Sequence, residues 1–360
     1  AAAVNALNFD LSQMPPKVGP PDTEAATQAL ENAARSLDVT YEVPFLAHAC
    51  MEPMCCTALV TDDRCEVWAP HQQPDNAVKL MTEITGFPAE QIQMNRTFLG
   101  GGFGRKWVLD FLGESVTVAK ALKGTPVKLF WSREEDIRRS YYRPAYAVRT
   151  RAALDENGRV TAMHSRAAGQ SLTRFYNKPM QPGVADVAVT GLLIYEAYDI
   201  EHQWADYVER PLPVPIGYWR SVTLSQNCFF AESAIDELAV LAQEDPYRFR
   251  RRLLEKRPRM VRVLDLAAEK SGWDEPLPEG RGRGIAFSYT FDAVIAQVVE
   301  VTVDDGTVSV DRVTCAFDCG FQVDPRNIED QVESGILFGL SAALAGKITL
   351  ADGQVVESNF

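Results

Sequence analysis

The residues best placed to do chemistry lie in Thr97–Lys106, Thr-Phe-Leu-Gly-Gly-Gly-Phe-Gly-Arg-Lys. Four of these ten residues are glycine, and three of the four are consecutive. Glycines add no side chain to a core and cost backbone entropy, so something other than packing keeps them there. They let backbone N–H groups approach a partner closely, at dihedrals closed to other residues. A run of bare amides ahead of a helix suits an anion or a strongly polar oxo group. The alternative is a tight strand-to-helix turn with no ligand, and the cations that follow, Arg105 and Lys106, favour a ligand. Two further stretches carry matching chemistry. Trp219-Arg220-Ser221 sets an arginine in a Gly/Pro-rich turn before a helix, and Gln331 and Glu333 stand near the start of the last long helix. A guanidinium forks onto phosphate or oxo groups, and a glutamine both donates and accepts. On chemistry alone Arg220 reads equally as a structural ion pair, and Gln331 as a solvated helix residue.

The glycine loop fails the common phosphate fingerprints. G-x-G-x-x-G from Gly102 needs glycine at 107, which is Trp107, and a Walker A loop needs Gly-Lys-Ser/Thr where the chain has Gly104-Arg-Lys-Trp107. Nicotinamide, flavin and nucleoside-triphosphate readings lose their main support. The seven cysteines (50, 55, 56, 65, 228, 315 and 319) are odd in number and two are adjacent, unlike a disulfide framework. Cys50 and Cys55 open a plant-type iron–sulfur spacing, but position 58 is alanine. With the four histidines scattered, the cysteines read as small buried hydrophobes and no protein-ligated metal is expected. A net charge of −13 opposes nucleic-acid binding, and no apolar run reaches the ~20 residues of a membrane helix.

The elements that must position these groups follow from periodicity. Residues 1–40, with one helix-like patch at 27–37, read as a linker or the end of an upstream domain. Strands are expected at 41–47, 56–60, 64–68, 91–98 and 127–131, and helices from Pro74 to a Gly86 cap and over 107–122. Ser132-Arg-Glu-Glu135 forms a capping box. A hairpin turns at Asp155–Gly158, the stretch 169–215 reads as loop, and helices follow around Phe230–Leu241, from Asp245-Pro246 and over 261–270. A second hairpin spans 293–316 about Asp304-Asp-Gly306, and a long helix runs over 325–344. At 360 residues with 46% hydrophobic content, this describes an α+β protein of two mixed lobes. The first lobe spans 41–257, a Pro/Gly-rich linker 258–283, and part of a second lobe 284–360.

Five motifs then occur in order: Ala47–Pro53 (AHACMEP), Glu66–Gln72 (EVWAPHQ), Leu99–Lys106 (LGGGFGRK), Trp219–Ser221 (WRS) with Glu232–Leu238 (ESAIDEL), and Asp318–Gly320 (DCG) with Gln331–Glu333 (QVE). Together they resemble the molybdopterin-binding large subunits of the xanthine oxidase family, above all the isoquinoline 1-oxidoreductase β subunit and its nicotinate- and aldehyde-oxidising relatives. The resemblance covers about residues 41–360. It implies a molybdopterin cofactor, in the cytosine dinucleotide form. It also implies oxidation of an N-heteroaromatic or aldehyde carbon with water-derived oxygen, and electron transfer to a small partner subunit carrying [2Fe–2S] clusters. Carried over residue by residue, it makes Gly101, Gly102, Phe103 and Gly104 cofactor-binding, with the Phe103 and Gly104 amides facing the apical ligand. Gln331 contacts the pterin, Arg220 orients substrate or cofactor, Gln72 supports the loop, and the molybdenum is held by the cofactor.

Departures from the family pattern bear on substrate. Leu46, Trp107 and Val222 stand where xanthine-oxidising members have glutamine, a carboxylate and phenylalanine, so an apolar pocket for an uncharged ring or an aldehyde is expected. The family's catalytic glutamate lies in a Gly-x-Gly-Glu motif that these residues do not contain, and Glu52, Asp110, Glu209 and Glu232 read as structural. Both ends of the sequence read as cut, and this stretch alone is expected to show no turnover and poor cofactor retention. Periplasmic and cytoplasmic locations both stay open. A non-catalytic scaffold with a structural Gly-rich turn is the competing reading.

Overall fold

The computed structural model describes residues 23–176, 178 and 186–360. Helix α1 (Thr23–Glu31) leads into β1 (Arg35–Val43). Strands β2 (Cys55–Val60) and β3 (Cys65–Ala69), helix α2 (Pro74–Thr85), β4 (Ile92–Arg96), helix α3 (Asp110–Ala121), β5 (Val127–Phe130) and helix α4 (Arg133–Arg138) follow. Strands β6 (Tyr146–Leu154) and β7 (Val160–Gly169) form a hairpin, and short helices α5 (Leu172–Phe175) and α6 (Val187–Thr190) precede β8 (His202–Glu209). Helices α7 (Leu224–Ala242), α8 (Pro246–Leu253) and α9 (Pro258–Ser271) lead to strands β9 (Arg281–Thr290), β10 (Ala293–Asp304) and β11 (Thr307–Asp318). Helix α10 (Pro325–Leu344) and a small hairpin of β12 (Leu350–Ala351) and β13 (Gln354–Val355) come last.

The strands make sheets ordered β1-β6-β7-β8, β4-β3-β2-β5 and β11-β10-β9. The β7/β8 and β3/β4 pairs are parallel and the rest antiparallel, which makes the architecture α+β as expected. Helix α3 buries Phe111, Leu112, Val116 and Ala119 against the sheet of β2–β5, in the cluster that also takes up Cys50, Cys56 and Cys65. Each such large side chain contributes about 2 kcal/mol. The largest cluster joins α7, α8 and α9 to the β6–β7 hairpin and the β9–β11 meander. Within 258–283, expected to link two lobes, α9 buries Met260, Val263, Leu264 and Ala267 in that cluster.

Three expected elements differ. The helical patch at 27–37 ends at Glu31, and Arg35–Val43 is a strand in register with β6, Arg35 opposite Leu154 and Val43 opposite Tyr146. Alternation over Arg-Ser-Leu-Asp-Val-Thr-Tyr-Glu-Val outweighs helix propensity there, and Pro44, which has no N–H, follows its last residue. The stretch expected as loop contains β8, whose central Trp204–Tyr207 is buried on both faces and so lacks a period of two. Its residues 177 and 179–185 lie outside the described residues. Finally, Gly282 and Gly284 disguise β9, which pairs over its whole length with β10, from Ala293↔Thr290 to Thr302↔Arg281.

The end of β11 is tied to α9 by one ion pair. Arg259 donates to both Asp318 carboxylate oxygens, at 3.0 and 2.9 Å, and the Gly320 amide donates to Oδ1 at 2.9 Å. These bonds hold the Asp318 carboxyl at about 2, below its ordinary 3.8. A depressed folded-state value stabilises the fold above the unfolded value and loses that stabilisation as pH falls through the folded one. Asp318→Asn is therefore expected to lower the urea midpoint at pH 6, with the gap to the parent closing as pH drops from about 4 to about 2. A gap that stays constant across that window would show that the pair contributes nothing.

Candidate functional site

The loop that follows β4 owes its shape to close packing. Gly101, Phe103 and Gly104 take positive φ values of 95°, 50° and 98°. A Cβ on Gly104 would lie 1.5 Å from the Tyr218 carbonyl oxygen, and one on Gly102 would lie 2.6 Å from Gln72 Oε1. Phe103 is held in the left-handed region despite its side chain, a strain of order 1 kcal/mol. Ion pairs between buried cations and partly exposed carboxylates pin both flanks. Glu52 accepts from the Gly100 amide at 2.9 Å and from Lys106 Nζ, while Arg105 forks onto Asp110 at 3.0 and 2.8 Å. The Arg105 guanidinium also lies 5.2 Å from the Trp131 ring and 5.4 Å from that of Tyr141. Because Arg105 and Lys106 turn inward, the expected helix at 107 begins only at Asp110, after a 3-10 turn at Arg105–Trp107.

Within the loop the amides divide. Gly104 N–H, expected to face a ligand together with Phe103 N–H, donates to Gln72 Oε1 at 3.2 Å and is engaged within the protein. Gln72 thus supports the loop directly. The amides of Gly101, Gly102 and Phe103 have no partner among the described residues, and Gly102 is buried.

Arg220 lies beside the loop. Its Nη1 donates to Ser334 Oγ at 2.9 Å, and its Nη2 to the Gln331 carbonyl at 3.1 Å and to Gln331 Oε1 at 3.3 Å. The guanidinium sits 5.9 Å from the rings of both Phe103 and Phe338. Those rings stack on each other at 4.6 Å, and Phe338 stacks on Trp219 at 4.5 Å. Partial burial lowers the Arg220 pKa from its ordinary value, a sign of incomplete solvation. Ser221 and Val222, next to it, both take positive φ, 66° and 58°, and for a β-branched residue that is a true outlier. The glycine loop, Arg220 and Gln331 are thus brought together. Glu333 is exposed on the same helix.

Of the three expected pocket residues, the cavity lined by Leu46 takes in neither Trp107 nor Val222. Leu46 lines a cavity with His48, Trp219 and Phe338. Trp107 stands edge-on to Tyr218, with ring centroids 5.9 Å apart. Val222 packs in the cluster built on Ile137, Tyr142 and Ile216. Sequence reasoning missed Ser334 and Phe338, although with Gln331 they stand at i, i+3 and i+7 on α10, a spacing that puts them on one helix face.

A donor set of bare amides, one of them buried, next to a partly desolvated guanidinium fits the oxo and phosphate oxygens of a molybdopterin group. Among the described residues, no group of three or more His, Cys, Asp or Glu converges to hold a metal directly. Nor is any described helix long and apolar enough to cross a membrane.

Comparison with known proteins agrees with this chemistry. Two molybdopterin cofactor-binding domain families match residues 13–254 and 221–360. The chain belongs to the molybdopterin-cofactor-binding family. It is 31% identical to the isoquinoline 1-oxidoreductase β subunit of Brevundimonas diminuta, over 92% of this chain and 42% of that protein. It is 25% identical to one of the subunits of nicotinate dehydrogenase from Pseudomonas putida, over 92% of this chain and 30% of that one. The chain therefore spans less than half the length of either relative. In fold it resembles CO dehydrogenase from Oligotropha carboxidovorans with a TM-score of 0.78 at 14% identity, covering 94% of this chain and 67% of that one.

Proposed function

We propose that these residues form the molybdopterin-holding part of a molybdenum hydroxylase that oxidises an uncharged N-heteroaromatic or aldehyde carbon. The cofactor, in its cytosine dinucleotide form, supplies the redox centre when bound. The observation that carries the reading is the Arg220–Gln331 contact laid against a loop with three amides that have no partner among the described residues. In this reading the amides of Gly101, Gly102 and Phe103 bind cofactor oxygens, and Gln331 contacts the pterin. Arg220 orients substrate or cofactor, and its ring neighbours Phe103 and Phe338 keep water from it. Gly104 serves by letting the Tyr218 carbonyl come close. Apolar side chains at Leu46, Trp107 and Val222 favour a neutral substrate. Electrons leave through an iron–sulfur partner subunit. The catalytic glutamate belongs to a Gly-x-Gly-Glu motif outside these residues, so the stretch by itself turns nothing over.

The test is elemental analysis of the full-length gene product together with turnover of isoquinoline and of an aromatic aldehyde. About one molybdenum per chain is expected. Arg220→Ala is expected to cut kcat/KM by about 10²-fold, the loss typical of removing one positioned donor. A metal-free full-length protein would leave the loop as a structural turn in a scaffold. Unchanged turnover in Arg220→Ala would remove Arg220 from the site.

A further inference from the structure

Cys50 is one of the cysteines expected to serve only as a small buried hydrophobe. It is fully buried, yet its thiol lies 3.3 Å from the Gly102 carbonyl oxygen and donates to it. Burial pushes the thiol pKa up to about 11, so the sulfur keeps its proton at neutral pH and acts as a donor rather than a nucleophile. The residue is itself held in place. Arg133 Nη2 donates to the carbonyls of Cys50 and Met51, and Arg133 Nη1 donates to the buried Asp136 at 2.9 Å.

A trans peptide unit is rigid, and its C=O and N–H point in opposite directions. Fixing the Gly102 oxygen therefore fixes the direction of Phe103 N–H, one of the three amides without a partner among the described residues. The Gly102 oxygen accepts a second bond, from Arg105 N–H at 2.8 Å. That bond closes a turn within the loop and moves with it. The thiol is anchored 52 residues away in the cluster that packs α3 on the sheet of β2–β5, so its bond is the one that sets the carbonyl against the scaffold. The peptide between Gly100 and Gly101 follows the same plan. Glu52 N–H donates to the Gly100 carbonyl at 3.0 Å, which turns the Gly101 amide away from residues 50–52.

We infer that Cys50 is a positioning residue of the glycine loop: its thiol holds the Gly102 carbonyl and so aims the Phe103 amide at the oxygen that the loop binds. This rests on the proposed reading of the loop as a cofactor cradle and adds to it the side chain that sets one of the cradle's donors. The amide meets the cofactor and not the substrate. A misaimed amide should therefore slow turnover without weakening substrate binding.

The experiment compares the full-length parent with Cys50→Ala and Cys50→Ser by infrared spectroscopy, molybdenum analysis and steady-state kinetics on an aromatic aldehyde. The S–H stretching band that the parent shows and Cys50→Ser lacks is expected at the lowered frequency of a hydrogen-bonded thiol. Cys50→Ala should lower kcat about 5-fold, the worth of one modest hydrogen bond, with KM and molybdenum content as in the parent. Cys50→Ser carries the stronger donor and should stay within about 2-fold of the parent, whereas a merely space-filling role would leave the two variants alike. A band at the free-thiol frequency, an unchanged kcat in Cys50→Ala, a loss that falls on KM or on molybdenum content instead, or no rescue by serine would each overturn the proposal. The infrared band is read with or without the cofactor, which separates the two failures. A metal-free parent would overturn the cofactor reading and this inference with it, and a free-thiol band in a molybdenum-loaded parent would overturn this inference alone.

Discussion

Gly104→Ala is expected to destabilise the protein by about 2–5 kcal/mol and to release the glycine loop. Two costs add. A side chain at φ 98° pays the left-handed penalty of roughly 1–2 kcal/mol. The new Cβ would also lie 1.5 Å from the Tyr218 oxygen and 2.6 Å from its carbonyl carbon, where a backbone rather than a flexible side chain must give way. Relief of such overpacking typically costs about 1–3 kcal/mol. It would also pull the Tyr218 carbonyl off His48 and the Gly104 amide off Gln72. Gly86→Ala is the matched control, since φ is 82° there and nothing lies within 4 Å of the added carbon. It should cost about 1 kcal/mol. Urea unfolding at unchanged m-value separates the two variants. A Gly104→Ala midpoint no lower than that of Gly86→Ala would mean that the loop is not pressed against Tyr218.

What could be read ahead of the structure was local. The loop announced itself because glycines at 100–102 and 104 make no sense as packing residues. Helix α10 was legible because Ile328, Val332, Ile336, Leu340 and Leu344 recur four apart, and the structure adds a cap the spacing did not name: the Asp324 carboxylate accepts from the amides of Arg326 and Asn327 at 3.1 and 3.3 Å. The Ser132 cap, which accepts from the Glu135 amide at 3.2 Å, was visible in its Ser-Arg-Glu-Glu sequence. What stayed hidden was pairwise and distant. Strand β8 is recognisable only beside β7, because burial on both faces erases its alternation. The contact between Arg220 and Gln331 joins residues 111 apart, and neither neighbourhood names the other. Family resemblance placed both near one cofactor, but it could not show that Gln72 claims the Gly104 amide. It also could not show that Trp107 and Val222 stand outside the cavity that takes Leu46.

Arg250→Ala is expected to cost about 3–5 kcal/mol, comparable to the whole stability margin of an ordinary domain. Arg250 is fully buried on α8. It donates through Nε to Glu232 Oε2 at 2.8 Å, through Nη2 to the Glu232 carbonyl at 3.0 Å and through Nη1 to Asp236 at 2.6 Å. Glu232, on α7, also accepts from Tyr198 Oη at 2.9 Å and from the Phe287 amide on β9 at 2.8 Å. One carboxylate thus ties two helices, the turn before β8 and the third sheet inside the largest core cluster. Truncating Arg250 leaves that carboxylate in the interior with neutral donors only, which is why the loss exceeds the value of the bonds removed. Glu232→Gln keeps an acceptor for the Phe287 amide and leaves Arg250 its bond to Asp236, so it should cost less, about 1–3 kcal/mol. The discriminating variant is the double one. Arg250→Met with Glu232→Gln removes both charges and keeps the volume, and it should be more stable than Arg250→Ala alone although it carries two changes. If the double variant were instead the sum of its parts in urea unfolding, the two charges would not be coupled, and the joint between α7, α8 and β9 would rest on apolar packing alone.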